Sequence, residues 1–258
     1  MNSRQEKLEA FGRLLDIMDD LREKCPWDQK QTLQSLRHLT LEEVYELSDA
    51  LLTENLPEIK KELGDVLLHL VFYAKIGSEK KSFDIADVIN SLNEKLIFRH
   101  PHIYGDVEVQ DEKEVKQNWE KLKLKEGNKS VLSGVTKGTP SLIKAYRIQD
   151  KVKGIGFEFA NAEDAWKKVE EELREFHAET EISKKEDELG DIFFSLVNYA
   201  RILGINPDSA LERTNNKFIT RFQKMENLAL EKEQNLADLS LKKMDELWEE
   251  AKTFEKPK

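Results

Sequence analysis

Pairs of carboxylates recur at helical spacing in two parts of the chain. The stretches "EEVYE" and "EELRE" each hold two glutamates three positions apart, and "ELGD" follows each of them. Residues three positions apart lie on one face of a helix. If the two helices of each part pack antiparallel through a short loop, four carboxylates converge. The two sets are Glu43, Glu46, Glu62 and Asp65, and Glu172, Glu175, Glu188 and Asp191.

Four converging carboxylates need a counter-charge. Two like charges about 4 Å apart repel by ~4 kcal/mol even at an effective dielectric constant of about 20. Either some of the carboxylates protonate or a divalent cation neutralises them. Ligands that are all oxygen suit Mg²⁺, Mn²⁺ or Ca²⁺ rather than Zn²⁺. The pattern therefore predicts a magnesium site, with Mn²⁺ as an alternative, that leaves positions for water and substrate phosphates.

A basic pair follows the acidic residues in each part. Lys95 and Arg99 are four positions apart, and so are Lys217 and Arg221. Arginine would bind a phosphate through a fork of two hydrogen bonds, and lysine would bind it as a point charge. A tryptophan comes later in each part, and Trp248 either stacks on a base or packs in the core.

Each of these signals has a plainer interpretation when it stands alone. Acidic pairs at helical spacing are mostly solvated surface, and a basic pair is mostly an exposed helix face. The order of the features argues for function. An acidic pair, "ELGD", an apolar helix and a basic pair occur twice in the same order along the chain.

The elements that must position these residues are helices. Apolar residues recur every three or four positions along nearly the whole chain, which is the period of an α-helix. Glycine (11) and proline (6) are too scarce for a sheet of many strands. The sequence predicts an all-α protein with two tandem related helical-bundle domains, 1–125 and 147–258, and a linker at 126–146. Two buried helices are predicted at "DVLLHLVFYAKIG" and "DIFFSLVNYARILG".

Charge and composition exclude several classes of protein. The formal net charge of −10 makes the chain a poor binder of nucleic acid. Its single cysteine, Cys25, excludes an intramolecular disulfide and a metal site built on thiolates. No apolar run approaches 18 residues, and the N-terminus lacks the apolar region of a signal peptide. The sequence predicts a cytoplasmic protein with no nucleic-acid or membrane partner.

At these motifs the sequence resembles the MazG family of nucleoside triphosphate pyrophosphohydrolases, over nearly its whole length. "CPWDQKQTLQSL", "EEVYE", "ELGD" and "RHPHIYGD" resemble the first MazG domain. "KVKGIGFEF", "KVEEELRE", the second "ELGD" and "NNKFITRF" resemble the second domain. The resemblance implies an all-α bundle, usually a homodimer, that binds Mg²⁺ and cleaves a nucleoside triphosphate to a monophosphate and pyrophosphate.

Roles for individual residues follow from the resemblance. The expected metal ligands are Glu172, Glu175, Glu188 and Asp191 and, in the first domain, Glu43, Glu46, Glu62 and Asp65. The expected nucleotide contacts are Lys168, Glu171, Glu172, Lys185, Lys217, Arg221 and Trp248. The predicted catalytic residues are Glu171, Glu172, Lys217 and Arg221.

The second domain is expected to dominate catalysis. Lysines at 167, 168, 184 and 185 flank its acidic residues in sequence and can offset their repulsion of a polyanionic substrate. The expected activity is nucleotide-pool house-cleaning with broad base specificity. Two alternatives stay open. One is a narrow hydrolase of dUTP or dCTP from the same superfamily, and the other is a non-catalytic helical scaffold that uses the acidic faces as partner-binding patches.

Overall fold

All regular structure in the described part of the chain is helical. The computed structural model describes residues 1–111, 114, 115, 118, 119, 122 and 130–254. Within these residues the regular elements are α-helices and two short 3₁₀ helices, without a strand. The all-α prediction is therefore confirmed.

The chain divides into two compact units, Met1–Trp119 and Glu120–Lys258. The helices described in the first unit are α1 (Arg4–Lys24), α2 (Leu33–Leu52), α3 (Leu56–Glu79), α4 (Ile85–Arg99) and the short α5 (Pro101–Tyr104). Those described in the second unit are α6 (Ser141–Lys153), α7 (Ala162–Ala178), α8 (Ile182–Ile202), α9 (Pro207–Glu231) and α10 (Leu241–Thr253).

The predicted domain boundaries lie partly outside the described residues. The boundary at 125 and the start of the predicted linker, 126–129, lie outside the described residues. The end of that predicted linker, 141–146, forms the first turns of α6. The boundaries themselves stay a prediction.

A hairpin of α2 and α3 forms the centre of the first unit. Thr32 caps α2 by accepting a hydrogen bond from the backbone N–H of Ser35, and Asn55 caps α3. Such caps satisfy backbone donors that the first turn of a helix leaves free. The connection between the helices is only three residues long, so they run antiparallel. Their buried faces and α1 share one apolar core, made of Met18, Leu36, Val71, Phe72 and Ile76.

The hairpin of α7 and α8 repeats this arrangement in the second unit. Asn161 caps α7 by accepting from the N–H of Asp164 at 2.9 Å. The Glu179 carboxylate accepts from the N–H groups of Thr180 and Glu181, at 2.7 and 2.8 Å. These bonds hold the tight connection through which the chain reverses into α8. The "ELGD" carboxylates on α8 are thereby brought back alongside the acidic face of α7.

The two helices predicted to be buried are covered to different degrees. The second half of α3 is buried on most sides, at Val71, Phe72, Ala74, Ile76 and Gly77. On α8, Ile192 and Val197 are buried, but Phe193 and Phe194 are 56% and 41% exposed. The prediction that this segment is a buried helix is therefore wrong for half of its circumference. Neighbouring helices of the unit pack against one side of α8, and the period of 3.6 residues turns the other side outward. The helix α4 contributes no buried residue at all.

Candidate functional site

Three carboxylates meet on the α7–α8 hairpin. Oxygen atoms of Glu172 on α7 and of Glu188 and Asp191 on α8 all lie within 4.8 Å of one another. Solvent exposure increases from Glu172, which is buried, through Glu188 to Asp191, which is exposed. The cluster is therefore open to solvent on one side. Glu175 stands outside this trio, although its charge still acts on Glu188.

The charges of this cluster repel one another. Burial raises the pKa of the Glu188 carboxyl, and the nearby charges of Glu175, Asp191 and Glu172 raise it further. A group whose pKa is raised by like charges prefers to lose that repulsion, by protonation or by gaining a cation. A divalent cation between the three carboxylates removes the repulsion and leaves them ionised.

One lysine is tied directly to the acidic face of α7. The Lys168 ammonium lies 2.6 Å from a Glu171 oxygen and 2.7 Å from a Glu172 oxygen. Hydrogen bonds to these two carboxylates raise the pKa of Lys168. The hydrogen bond from Lys168 to Glu171 also lowers the pKa of Glu171, so Glu171 is ionised at neutral pH. Lys168 therefore holds Glu171 beside the cluster as a charged acceptor.

The first unit carries a matching trio on the α2–α3 hairpin. Oxygen atoms of Glu43, Glu62 and Asp65 lie within 4.8 Å of one another. Burial raises the pKa of Glu43, and the charges of Asp65, Glu46 and Glu62 add to the effect. Glu46, like Glu175 in the other unit, stands outside the trio.

Glu62 is the most deeply buried of these carboxylates. It is 3% exposed, and its Oε1 accepts from the Lys61 ammonium at 2.8 Å. Its Oε2 is buried and has no hydrogen-bond partner among the described residues. An unpaired buried carboxylate oxygen is costly unless something neutralises it. The sequence places Lys60 and Lys61 just before the first "ELGD", and the structure pairs Lys61 with Glu62.

Both trios fit a divalent cation of the hard class. All six donors are carboxylates, which suit Mg²⁺, Mn²⁺ and Ca²⁺. The raised pKa values and the unpartnered Glu62 oxygen are consistent with a cation between the carboxylates. The prediction that each domain holds a cluster of this kind therefore has a structural counterpart, while the identity of the ion stays a prediction.

The predicted phosphate ligands form a second group, on α9 and α10. The Arg221 guanidinium lies 5.9 Å from the centre of the Trp248 ring, and the Phe218 ring packs against the same tryptophan at 5.0 Å. Trp248 is partly buried and also touches the core of this unit. Lys217 is exposed on the same helix as Arg221. In the first unit Arg99 lies over Trp119 in a similar way, at 5.4 Å.

The other lysines predicted to flank the second cluster have different partners. Lys167 pairs with Asp164 at 3.0 Å, and Lys184 pairs with Glu181 at 2.7 Å. Lys185 lies over the Phe176 ring, 5.0 Å from its centre. Of the four lysines, Lys168 is the one that the described ion pairs connect to a carboxylate of the trio.

Comparison with known proteins adds two findings. The MazG nucleotide pyrophosphohydrolase domain matches the chain twice, at residues 31–104 and 162–225. The two matches contain the two acidic trios. They confirm the prediction of tandem related domains and the resemblance on which the residue roles were based.

Relatives that match nearly the whole of this chain come from several bacteria. The nucleoside triphosphate pyrophosphohydrolase/pyrophosphatase MazG of Thermotoga maritima is 42% identical over 247 residues, 94% of this chain and 95% of that protein. The nucleoside triphosphate pyrophosphohydrolase of Escherichia coli K12 is 35% identical over 96% of this chain and 99% of that protein. The uncharacterized protein YabN of Bacillus subtilis is 44% identical over 98% of this chain and 54% of its own length.

Proposed function

Because the chain belongs to the MazG nucleotide pyrophosphohydrolase family, we propose that it hydrolyses nucleoside triphosphates to a nucleoside monophosphate and pyrophosphate. The observation that carries this proposal is the trio of Glu172, Glu188 and Asp191, with Lys168 and Glu171 beside it. When bound there, Mg²⁺ supplies positive charge that polarises phosphoryl oxygens and activates water.

The carboxylates of the α7–α8 hairpin hold the cation in this mechanism. Glu172, Glu188 and Asp191 would supply oxygen ligands from two helices, and the charge of Glu175, which acts on Glu188, adds to the attraction for a cation. Mg²⁺ usually takes few protein ligands and keeps positions for water and phosphate. The solvent-exposed side of the trio, at Asp191, is where phosphates would enter.

Glu171 orients the attacking water and accepts its proton. A general base must be ionised and within hydrogen-bond reach of its proton. Glu171 meets the first condition through its 2.6 Å contact with Lys168, which keeps the carboxylate charged and fixes its direction. Lys168 would also contact the nucleotide, as would Lys185 from the start of α8.

Lys217 and Arg221 neutralise charge on the phosphates in the transition state. The cation–π contact with Trp248 orients the Arg221 guanidinium. Trp248, which is partly exposed beside it, would stack on the base of the nucleotide.

We expect Arg221→Ala to lower kcat/KM by about 100-fold, which corresponds to roughly 2.7 kcal/mol of transition-state stabilisation. Its thermal stability should stay nearly unchanged, because the side chain carries function rather than core packing. Arg213→Ala is the matched control, since Arg213 is exposed on the same helix two turns earlier. Wild-type kinetics of Arg221→Ala with every triphosphate tested would remove Arg221 from the site.

Divalent cations should be essential for turnover. We expect EDTA to abolish hydrolysis and added Mg²⁺ or Mn²⁺ to restore it, measured by separating monophosphate, diphosphate, phosphate and pyrophosphate. Release of pyrophosphate distinguishes the proposed reaction from stepwise loss of single phosphates. Full turnover in EDTA would contradict the mechanism.

The proposed substrate range is broad, as suits house-cleaning of the nucleotide pool in the cytoplasm. A panel of the common ribo- and deoxyribonucleoside triphosphates tests it, and activity on dUTP or dCTP alone would favour the narrower alternative. In a calorimeter, absence of any saturable binding of Mg²⁺ and a non-hydrolysable nucleotide would favour the non-catalytic scaffold.

No described helix has the length and apolar composition needed to cross a membrane.

The proposal includes a homodimer. On α4, which buries none of its residues within the unit, Val88, Leu92 and Leu96 follow one another at intervals of about one turn and are 46%, 44% and 38% exposed. An amphipathic helix with an uncovered apolar face usually packs against a partner. A second copy of the chain offers the same face by symmetry. Light scattering coupled to size-exclusion chromatography should therefore give twice the chain mass of 30.0 kDa.

A further inference from the structure

A hydrogen-bonded network connects α2 to α3 beside the first acidic trio. The Thr40 hydroxyl oxygen lies 3.1 Å from His69 Nδ1 and 2.6 Å from the Tyr73 hydroxyl. The same oxygen lies 2.9 Å from the carbonyl oxygen of Leu36. Thr40 is on α2, whereas His69 and Tyr73 are one turn apart on α3. Three polar groups thus link the two helices that carry the trio.

The number of available protons determines which groups donate and which accept in this network. The Thr40 hydroxyl has one proton, and the Leu36 carbonyl can only accept it. Thr40 therefore accepts from the Tyr73 hydroxyl and from Nδ1–H of His69. Nδ1 of His69 therefore carries a proton, and the ring is buried at 6% exposure. Burial lowers the pKa of His69, and the charge of Asp65, one turn earlier, acts in the opposite direction.

The second hairpin lacks this network although its acidic trio is alike. The position three residues before the first glutamate of the pair holds Val169. The positions four and eight residues after the "ELGD" aspartate hold Ser195 and Tyr199. Val169 and Ser195 are buried, and the Tyr199 ring packs against Trp166 with ring centres 5.0 Å apart. The same hairpin geometry is therefore compatible with an apolar contact in place of the polar one.

We propose that His69, together with Thr40 and Tyr73, is a positioning residue for a divalent-cation site in the first unit. The inference rests on the metal ligands of the proposed function. Hydrogen bonds are directional, so in the first unit this network favours one rotation of α3 against α2, where the second unit uses apolar contacts instead. Asp65 lies one turn before His69 on the same helix, and its carboxylate lies within 4.8 Å of the Glu62 oxygen at that rotation. The buried Glu62 oxygen without a partner is the second sign that this trio accommodates a cation.

The described hydrogen bonds of the network reach no trio carboxylate, so it would act through the packing of α2 on α3. Groups hydrogen-bonded directly to metal ligands typically change metal affinity by about 10- to 100-fold when they are removed, and the lower end of that range is expected here. The second hairpin supplies the substitutions for a test, because His69→Ser and Thr40→Val introduce residues that it buries at the equivalent positions. Both are made in a full-length chain that also carries Glu188→Gln and Asp191→Asn, so that the second trio no longer competes for metal. Mn²⁺ binding is measured by electron paramagnetic resonance.

We expect His69→Ser and Thr40→Val each to weaken Mn²⁺ binding by about 10-fold. Tyr73→Phe, which removes one hydroxyl, should act in the same direction, and Tyr199→Phe is the matched control that should not. Circular dichroism melts in EDTA separate affinity from folding, since a merely structural network would lower Tm and leave the Mn²⁺ affinity of the folded protein unchanged.

Unchanged Mn²⁺ affinity in Thr40→Val and Tyr73→Phe overturns the inference, even if His69→Ser fails to fold. Absence of Mn²⁺ binding to the parent chain, which carries only Glu188→Gln and Asp191→Asn, overturns the inference as well. Neither result touches the proposed function, because hydrolysis by the unsubstituted chain tests that separately.

Discussion

We expect Asp191→Ala to abolish divalent-dependent hydrolysis while the helical fold persists. Asp191 is the exposed member of the second trio, and its carboxylate lies within 4.8 Å of the Glu172 and Glu188 oxygens. Removing it deletes a cation ligand without opening a cavity in the core. Hydrolysis is measured as pyrophosphate release at saturating Mg²⁺, and the fold is monitored by far-ultraviolet circular dichroism.

The same substitution should slightly raise Tm in EDTA. Burial is the largest cause of the raised pKa of Glu188, and the charges of neighbouring carboxylates, including Asp191, raise it further. Deleting Asp191 removes one of these like charges and relieves the repulsion. The matched control is Asp187→Ala, another exposed aspartate one turn earlier on α8, which should keep near wild-type activity. An inactive Asp191→Ala that has also lost its helical signal would assign Asp191 a structural role instead.

The second large effect is expected from charge removal on α7. Glu172→Gln combined with Glu175→Gln should remove most activity, because glutamine keeps the shape of glutamate but loses the charge that holds a cation. Glu43→Gln combined with Glu46→Gln, the equivalent pair on α2, should spare most of it. Initial rates over a range of Mg²⁺ concentrations separate weaker metal binding from a slower reaction.

The surroundings of the two trios explain this asymmetry. Lys168 lies four residues before Glu172 and contacts both Glu171 and Glu172, whereas the equivalent position in the first unit is Leu39. Each trio has a lysine against its buried glutamate, Lys61 at Glu62 and Lys168 at Glu172, but Lys168 also holds the neighbouring Glu171, so the second site has an oriented base beside its metal ligands. Equal losses from both double variants would mean that the two units work independently, and the reverse pattern would make the first unit the catalytic one.

Helical spacing was sufficient to predict the two acidic hairpins. Glutamates three positions apart share a face, and a short connection returns "ELGD" alongside it, which brings Glu172 near Glu188 once the helices pack. The same spacing predicted Glu175 in the cluster, and the structure leaves it outside the trio. The scarcity of Gly and Pro and the apolar period predicted the all-α class, which the described residues confirm. The detailed roles of these residues in binding and catalysis remain predictions.

Tertiary packing decided which face of α7 meets α8, whereas the ion pairs within α7 follow helical spacing. Lys167 and Lys168 are neighbours in sequence, but adjacent helical positions point about 100° apart, since a turn takes 3.6 residues. Lys168 consequently reaches Glu172 while Lys167 turns to Asp164. Which of the two directions faces the cluster depends on how α7 is rotated against α8, and no short-range pattern specifies that rotation.

The amino-acid sequence by itself determined the repeat, the helices and the types of side chain available to each site. Only the tertiary structure decided that Phe193 is exposed, that Glu62 has a buried oxygen without a partner, and that His69 reaches Thr40. Periodicity is a local property of the chain, whereas burial and hydrogen bonding depend on contacts between residues distant in sequence. Thr40 and His69 are 29 positions apart, and they meet because two capped helices pack at one particular rotation.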